Sequence, residues 1–335
     1  MIASLSLLCF ALAASPAYGF VAPTSTGLAR RTSSSRSATS LKMSADLSGV
    51  QIMVNGMPGP MATAAAEACL RKGLNLAPVA MTGPEIEPST INVVDAVTGK
   101  SASVKLIPAG AKDEIDAAVE GVKTAVGSDN LLAIDFTHPS AVNGNALFYA
   151  EKGIPFVMGT TGGDRDKLMN DMEDAKHFAV IAPNMAKQIV ALQAGLEDLA
   201  KKFPGAFDGY KIEVRESHQK TKADTSGTAK AVVASLKDLS DDSFEVGDIE
   251  KIRDDEGAMA FRVPEDALNG HAFHRYTFTS ADGTVEFALE HNVVGRTVYA
   301  EGTADAVKFL AAKLREEKEG KIFNMIDVLK AGALE

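Results

Sequence analysis

Cysteine is almost missing from this 335-residue sequence, which holds only Cys9 and Cys69. Cys9 falls in a leading segment whose composition marks it for removal, so the mature chain has no internal disulfide and must be held by its core. Cys69, in an alanine-rich helical run, is expected to be a small core residue. The apolar stretch at residues 2–14 covers thirteen positions, too few to span a bilayer. Histidine and cysteine spacings of the metal-binding kind are missing as well, so no metal is expected. A cationic surplus is equally absent. The net charge is −10, and residues 1–42 carry four basic residues (Arg30, Arg31, Arg36, Lys42) and no acid, leaving 30 basic against 44 acidic residues, a net −14, beyond them. Such a body repels nucleic acid and anionic lipid, so an anionic ligand must be met by local groups.

What is present is a chain with 46% hydrophobic residues, enough for one large or two moderate domains. Residues 1–42 read as a targeting presequence. The apolar start, the small residues around Ala17-Tyr18-Gly19 and the acid-free Ser/Thr/Arg run that follows combine a secretory-type signal with a transit-peptide composition. The pair, with Phe20 after the cleavage point, resembles the two-part presequence of algae with complex plastids, which implies delivery to the plastid (chloroplast stroma). Simple secretion is the alternative.

Residues 50–54 form a short buried strand followed at once by Asn55-Gly56-Met57-Pro58-Gly59-Pro60-Met61-Ala62 and a helix over 63–72. Strand, glycine turn and helix in that order let backbone approach a pyrophosphate at the helix N-terminus, and the spacing is G-x-x-G-x-x-A. Pro60 suits an early helix position but withholds an amide from that loop. Residues 76–81 read as the second strand. Neither an acid nor a base stands at Thr82-Gly83, so the choice between NADH and NADPH is not legible there. A small hairpin is expected around Thr98-Gly99 and an amphipathic helix through Ile115, Val119, Val122 and Val126. Strands over 131–135, 154–158 and 178–182 each end in a polar loop: Phe136-Thr137-His138-Pro139, Gly159-Thr160-Thr161-Gly162 and Pro183-Asn184-Met185. This order predicts an α/β fold with a Rossmann-like, doubly wound parallel sheet whose ligand edge lies at the strand ends.

From Asn184 a long helix is expected, with Met185, Ile189, Leu192, Leu196 and Leu199 on one face, ended by Pro204-Gly205. Alternation stops here, placing a boundary between a dinucleotide-binding domain (47–183) and a second, α+β domain with a mixed sheet (184–298) for substrate binding and oligomerisation. Strands are expected at 257–263, 270–279, 285–291 and 297–301, with an Asp282-Gly283 hairpin turn. Residues 238–256 are acidic and read as exposed. Helices in 299–335 are expected to return to the first domain.

The stretch ESHQKTKADTSGT, from Glu216 to Thr228, carries the chemistry. An alternating strand leads into it and puts His218 near its end, where an imidazole exchanges a proton near neutral pH. Lys222 adds a cationic donor. Ser226 or Thr225 reads as the N-cap of the helix that follows, and the open amides of Gly227 and Thr228 suit a carboxylate. The bland alternative is a solvated lysine loop with a surface histidine.

Taken with IMVNGMPG, DFTHP, MGTTG, APNMA and MIDVL, this stretch resembles the 4-hydroxy-tetrahydrodipicolinate reductase (dihydrodipicolinate reductase) family in its plant and algal form, over residues 50–329. The resemblance implies hydride transfer from NADPH or NADH to a cyclic imine dicarboxylate in lysine biosynthesis via diaminopimelate, by a dimer or tetramer, without nucleic acid or membrane in the mature form. It implies His218 and Lys222 as catalytic residues and Gln219, Ser226, Gly227 and Thr228 as substrate contacts. The cofactor segments it implies are Gly56, Met57, Pro58, Gly59, Pro60 and Met61, then Gly159, Thr160 and Thr161, then Ala182, Pro183, Asn184 and Met185. Two departures stand out. Bacterial members carry HHRHK where this chain has His218-Gln219-Lys220-Thr221-Lys222, and GRMG where it has Gly59-Pro60-Met61-Ala62. The rival readings are another nicotinamide dehydrogenase of aspartate-family metabolism and a non-catalytic dinucleotide sensor.

Overall fold

The computed structural model describes residues 47–332; the expected presequence at 1–42 lies outside the described residues. Strand β1 (Gln51–Asn55) is buried on both faces and passes through the glycine turn into α1 (Pro60–Arg71), whose first residue is a proline with no amide to satisfy. β1 is next to the edge of an all-parallel sheet with β2 (Asn75–Leu76), β6 (Leu131–Asp135), β7 (Phe156–Met158), β8 (Ala179–Ile181) and β13 (Ile322–Phe323), in the order β13-β8-β7-β6-β1-β2. Parallel sheets need both faces covered, and both are. Ile115, Val119 and Val122 of α2 (Lys112–Val126), Ala146 and Tyr149 of α3 (Val142–Glu151), and Leu168 and Met172 of α4 (Arg165–Asp174) fill one side. The alanines of α1, with Cys69 fully buried, fill the other. Burial pushes the Cys69 thiol up to about 12, so it is inert packing.

The strand expected at 76–81 is two strands. β2 ends at Leu76, and β3 (Val79–Thr82) leaves the main sheet to pair with β5 (Ser101–Pro108), which pairs antiparallel with β4 (Ser89–Val94). The chain passes between the two sheets at Pro78: Ala77 N–H bonds Ile52 O (2.9 Å) on the β1 side, and Lys105 N–H bonds Pro78 O (2.8 Å) on the β5 side. The expected hairpin does close at Gly99 (φ +72°), with the Asp95 carboxylate accepting from Thr98 N–H and Oγ1–H.

Helix α5 (Lys187–Lys202) starts three residues after Asn184, because the Asn184 carboxamide oxygen accepts Ala186 N–H (2.8 Å) and holds a turn there. Beyond it β9 (Tyr210–His218), β10 (Glu250–Ile252), β11 (His271–Ser280) and β12 (Glu286–Val294) make a mixed sheet ordered β10-β9-β11-β12. One face packs Ile212, Val214, Tyr276 and Phe278 under Val232, Val233 and Leu236 of α6 (Gly227–Leu239).

Two expected strands are helical instead. Residues 257–263 lie in α7 (Asp255–Ala260) and the turn after it, capped by Asp254, whose carboxylate accepts Gly257 N–H (2.7 Å). Residues 297–301 open α8 (Thr297–Glu316). Five alternating residues fit either period; close packing decided this one. A Cβ at Gly302 would run into the Met185 carbonyl, so glycine lets α8 press against the chain leading into α5. Ala304, Val307, Phe309 and Leu310 of α8 join the core beside α1, where each large apolar side chain contributes about 1.5–3 kcal/mol. Lys187 and Lys72 both pair with buried Asp305 of this helix. No helix among the described residues is long and apolar enough to cross a membrane.

Candidate active site

Two cavities open along the C-terminal ends of the parallel strands, where this fold class binds ligands. The first, about 630 Å³, is lined by Gly56, Pro58 and Gly59 of the glycine turn and by Thr82, Gly83 and Glu85 after β3. Gly56 has φ +100°, and a Cβ there would strike the Phe136 carbonyl; a Cβ on Gly59 would lie 2.6 Å from Gly56 O. Both positions therefore need glycine, and the turn keeps an open backbone face. The second cavity, about 310 Å³, gathers Met61, Gly159, Thr160, Thr161, Pro183, Asn184 and Met185. Phe136 and Thr137 border both cavities, and the Phe136 ring lies where a Cβ of Gly159 would be.

Three of the expected cofactor residues line neither cavity. Met57 is fully buried, with its carbonyl accepting Thr82 Oγ1–H (2.6 Å), Pro60 is exposed at the start of α1, and Ala182 is buried with its N–H on Met158 O (3.1 Å).

Beneath the two cavities lies a buried polar network that sequence reading missed. Asp135, at the end of β6 and 0% exposed, accepts from Thr137 N–H (3.2 Å), Thr137 Oγ1 (2.8 Å), Thr160 Oγ1 (2.8 Å), Asn145 Nδ2 (2.9 Å) and Tyr149 OH (2.7 Å). Asn55 donates to Tyr149 OH (2.8 Å) and accepts Met81 N–H (2.8 Å). A buried carboxylate is costly unless its lone pairs are filled, and here they are. Burial and the Asp135 charge hold the Tyr149 phenol well above its ordinary range, so it remains a donor. The network ties the ends of β1, β3 and β6 to the Thr137 and Thr160 loops. Its only sequence signal was a polar residue closing each apolar strand.

The second cavity reaches the back half of the chain through Asn184, whose Nδ2 donates to Thr228 Oγ1 (3.0 Å) in the first turn of α6. Ser226 occupies the N-cap position as expected, but its side chain accepts no amide there; instead its N–H donates to Glu216 Oε2 (3.1 Å). The amides of Gly227 and Thr228 are thus left without a side-chain cap. Gln219 is half-buried, and its carbonyl accepts Lys222 N–H (3.0 Å) in a tight turn.

His218 and Lys222 line neither cavity. His218 is 7% exposed, its Nε2 lying 3.3 Å from His274 Nε2. His274 stacks on His291 with ring centroids 4.6 Å apart and sits 3.8 Å from Glu216 Oε2. The ligand atoms of Glu216, His218 and His274 all lie within 4.8 Å of one another, a grouping the linear spacing did not reveal, but Glu216 is already balanced by Arg253 Nη2. Arg253 also donates to the carbonyls of Lys222 (2.7 Å), Glu216 (3.3 Å) and Asp224 (3.2 Å), pinning the 216–224 loop. It comes from a stretch expected to be exposed, and its role has no local signature. Lys222 pairs with Asp224 (2.8 Å).

Electrostatics differ from the near-neutral titration expected of His218. Burial first, then the charges of Arg253 and Lys222, lower its pKa to about 3, and burial lowers His274 to about 2. In the ligand-free chain both rings are neutral at pH 7.

Comparison with known proteins covers nearly the whole described chain. Residues 50–185 match the family described as dihydrodipicolinate reductase, N-terminus, and residues 189–329 match dihydrodipicolinate reductase, C-terminus. The chain is 45% identical over 287 residues to 4-hydroxy-tetrahydrodipicolinate reductase 1, chloroplastic, of Arabidopsis thaliana, covering 85% of this chain and 79% of that protein. It is 44% identical over 285 residues to the probable chloroplastic reductase 1 of Oryza sativa subsp. japonica, covering 84% and 79%. Among solved structures, the dipicolinate-bound dihydrodipicolinate reductase of Paenisporosarcina sp. TG-14 shares the fold, with TM-score 0.52, 18% identity, and coverage of 82% of this chain and 97% of that one. A glycine-turn cavity in front, an anion-ready helix start behind, and matches to both halves lead to one conclusion: the chain belongs to the dihydrodipicolinate reductase family.

Proposed function

We propose that this chain reduces 4-hydroxy-tetrahydrodipicolinate to tetrahydrodipicolinate with NADPH or NADH, the reduction step of lysine biosynthesis via diaminopimelate. The observation that carries the reading is the Asn184–Thr228 hydrogen bond, which joins the rim of the Gly159–Thr161 cavity to the amide-rich start of α6. The glycine turn has the open backbone face a pyrophosphate needs, and the cofactor supplies the hydride.

The remaining work falls to the chain's own side chains. Residues 47–183 hold the cofactor, residues 184–298 hold the substrate, and α8, within the expected C-terminal segment, braces the first unit. The amides of Gly227 and Thr228 receive one substrate carboxylate, with Ser226 and Gln219 beside them, and orient the ring against the nicotinamide. Lys222 and Arg253 attract the dianion locally against a body of net negative charge. The dianion in turn offsets their field and raises the proton affinity of His218, so that its imidazole gains a proton when there is a substrate to receive it. His218 is the acid/base group and Lys222 its cationic partner. The test is NAD(P)H oxidation dependent on freshly made dihydrodipicolinate synthase product. His218→Ala is expected to lose turnover while keeping nucleotide affinity, and wild-type turnover in that variant would refute the assignment.

Two further parts of the reading follow. The plant relatives carry chloroplastic names, and we place this chain in the plastid after removal of residues 1–42; a fusion of that segment to a fluorescent protein, imaged in an algal cell, tests it. A homo-oligomer is supported by β12, an edge strand that exposes Phe287 and Val294, the kind of edge a second copy covers. Light scattering on the purified chain reads its mass.

A further inference from the structure

We propose that Glu216, His218 and His274 form a Zn²⁺ site, and that zinc held there shuts off the proposed reduction. The metal site stands on geometry alone; its effect on turnover rests on reading His218 as the acid/base group. Linear spacing hides the site, because its ligands come from two strands. Glu216 and His218 are two residues apart on β9 and so point to one face of the sheet, and His274 on β11 is the direct antiparallel partner of Glu216. Side chains paired in this way across a ladder stand close together, on rigid elements that hold ligands in place. All three are at most 7% exposed.

The atoms already stand near the separations that the ion requires. Zinc bonded to imidazole nitrogen at about 2.0–2.1 Å holds two such nitrogens about 3.3–3.4 Å apart in a tetrahedron. His218 Nε2 and His274 Nε2 are 3.3 Å apart, and Glu216 Oε2 is 3.8 Å from His274 Nε2. One ligand atom from each residue lies within 4.8 Å of the other two, so a small movement of the carboxylate closes the set. Glu216 is engaged elsewhere without exhausting Oε2: Arg253 Nη2 bonds Oε1, and Ser226 N–H reaches Oε2 at 3.1 Å and Oε1 at 3.4 Å. Each carboxylate oxygen has two lone pairs, so these donors orient the ligand and leave Oε2 one pair for metal. Behind the site His291 stacks on His274 at 4.6 Å and Tyr276 at 6.2 Å, fixing the plane of the His274 ring. His274 Nδ1 is buried with no hydrogen-bond partner, so nothing on that side turns the ring away. Arg253 and Lys222 oppose a divalent ion, which makes the binding reversible. Two imidazoles and one carboxylate favour zinc over Mg²⁺ and Ca²⁺, which take oxygen ligands. A neutral imidazole has a single basic lone pair, so zinc on His218 leaves none for a proton.

Titration of the tag-free, metal-stripped chain with Zn²⁺ against a chromophoric zinc indicator, with neither substrate nor cofactor present, is the direct test. The wild type is expected to hold one equivalent more than His274→Gln, which keeps a polar side chain but lacks the imidazole. His218→Ala is expected to lose the same equivalent, and the double variant to lose no more. Co²⁺ in place of zinc should give the visible absorption of a tetrahedral site in the wild type alone, and Mg²⁺ or Ca²⁺ should not displace it. In the reductase assay, with free zinc set by a metal buffer, zinc should inhibit the wild type and EDTA should restore turnover. The free zinc needed for half-inhibition should rise about 10–100-fold or more in His274→Gln, measured against that variant's own metal-free rate. Equal zinc binding by the wild type and both variants, or a bound equivalent that leaves turnover unchanged, overturns the proposal. A chain that holds zinc through His218 and His274 but reduces no dicarboxylate refutes the reductase reading and leaves the metal site standing; the reverse result refutes the metal site alone.

Discussion

The two halves of the site are built by opposite means. At the strand ends of the parallel sheet, a fixed backbone makes the surface: Gly56 and Gly59 shape the turn, and Asp135 clamps the Thr137 and Thr160 loops from below through filled hydrogen bonds. In the mixed sheet, side chains make it: His218 and His274 are buried neutral, and Arg253 and Lys222 hold charge next to them. The first half is finished before a ligand arrives, since few of its groups change state. The second is poised, because an incoming dianion changes the charge that its imidazole can carry. On the proposed function, catalytic reach and sensitivity to pH belong to the second half and cofactor affinity to the first.

Substitutions can break that contrast. The largest effect is expected from His218→Ala, with kcat lowered about 10²–10⁴-fold in the coupled reductase assay and cofactor affinity kept, as for removal of a proton-transfer group. Next comes Arg253→Ala, which strands Glu216 without its cation at 0% exposure. Loss of one member of such a pair costs about 3–5 kcal/mol, read as a lower denaturant midpoint, and the 216–224 loop should become protease-sensitive. Tyr149→Phe removes one donor from Asp135 and the acceptor of Asn55; it is expected to cost about 1–3 kcal/mol and to raise the KM for cofactor more than it lowers kcat. A fall in kcat with unchanged cofactor KM would show that the network serves the chemistry rather than the cofactor loops.

The pH dependence of stability sharpens the contrast. His218, His274 and His291 are lowered to about 3, 2 and 4 from an ordinary 6.5, burial being the first cause in each. Between pH 6.5 and about 4 the unfolded chain therefore binds protons that the folded chain does not. Their contribution is complete above pH 6.5 and is lost as pH falls through that window. A Tm series from pH 7.5 to 4.5 should fall below pH 6.5, and His274→Phe should flatten the fall. A Tm that is flat over this range would mean that these rings are not buried neutral.

Legibility followed range. The parallel strands and their polar ends could be read because β6 and β7 are apolar runs closed by turn residues, and the glycine turn because a local backbone demand selects its residues. The split at Pro78 was readable in principle, since proline commonly marks the end of a strand, but the apolar run on either side masked it. Residues 257–263 and 297–301 misled because short alternation fits either period, and the choice lay with the Asp254 cap and with the packing of Gly302. Arg253 and His274 had no signal of their own, and Asp135 only its place at the end of an apolar strand. Each is defined by partners far along the chain or across a sheet.

By itself the sequence determined what neighbouring residues can enforce: an α/β chain with glycine at the turns, a histidine and lysine stretch before a helix start, and a family resemblance carried by short motifs. Tertiary structure alone decided which side chains stand within a few ångströms across strands β9 and β11 and which carboxylates are buried. The physical reason is that φ/ψ preference and turn chemistry act over a few residues. Desolvation and charge pairing depend on whatever the fold brings close, and those terms set the protonation of His218.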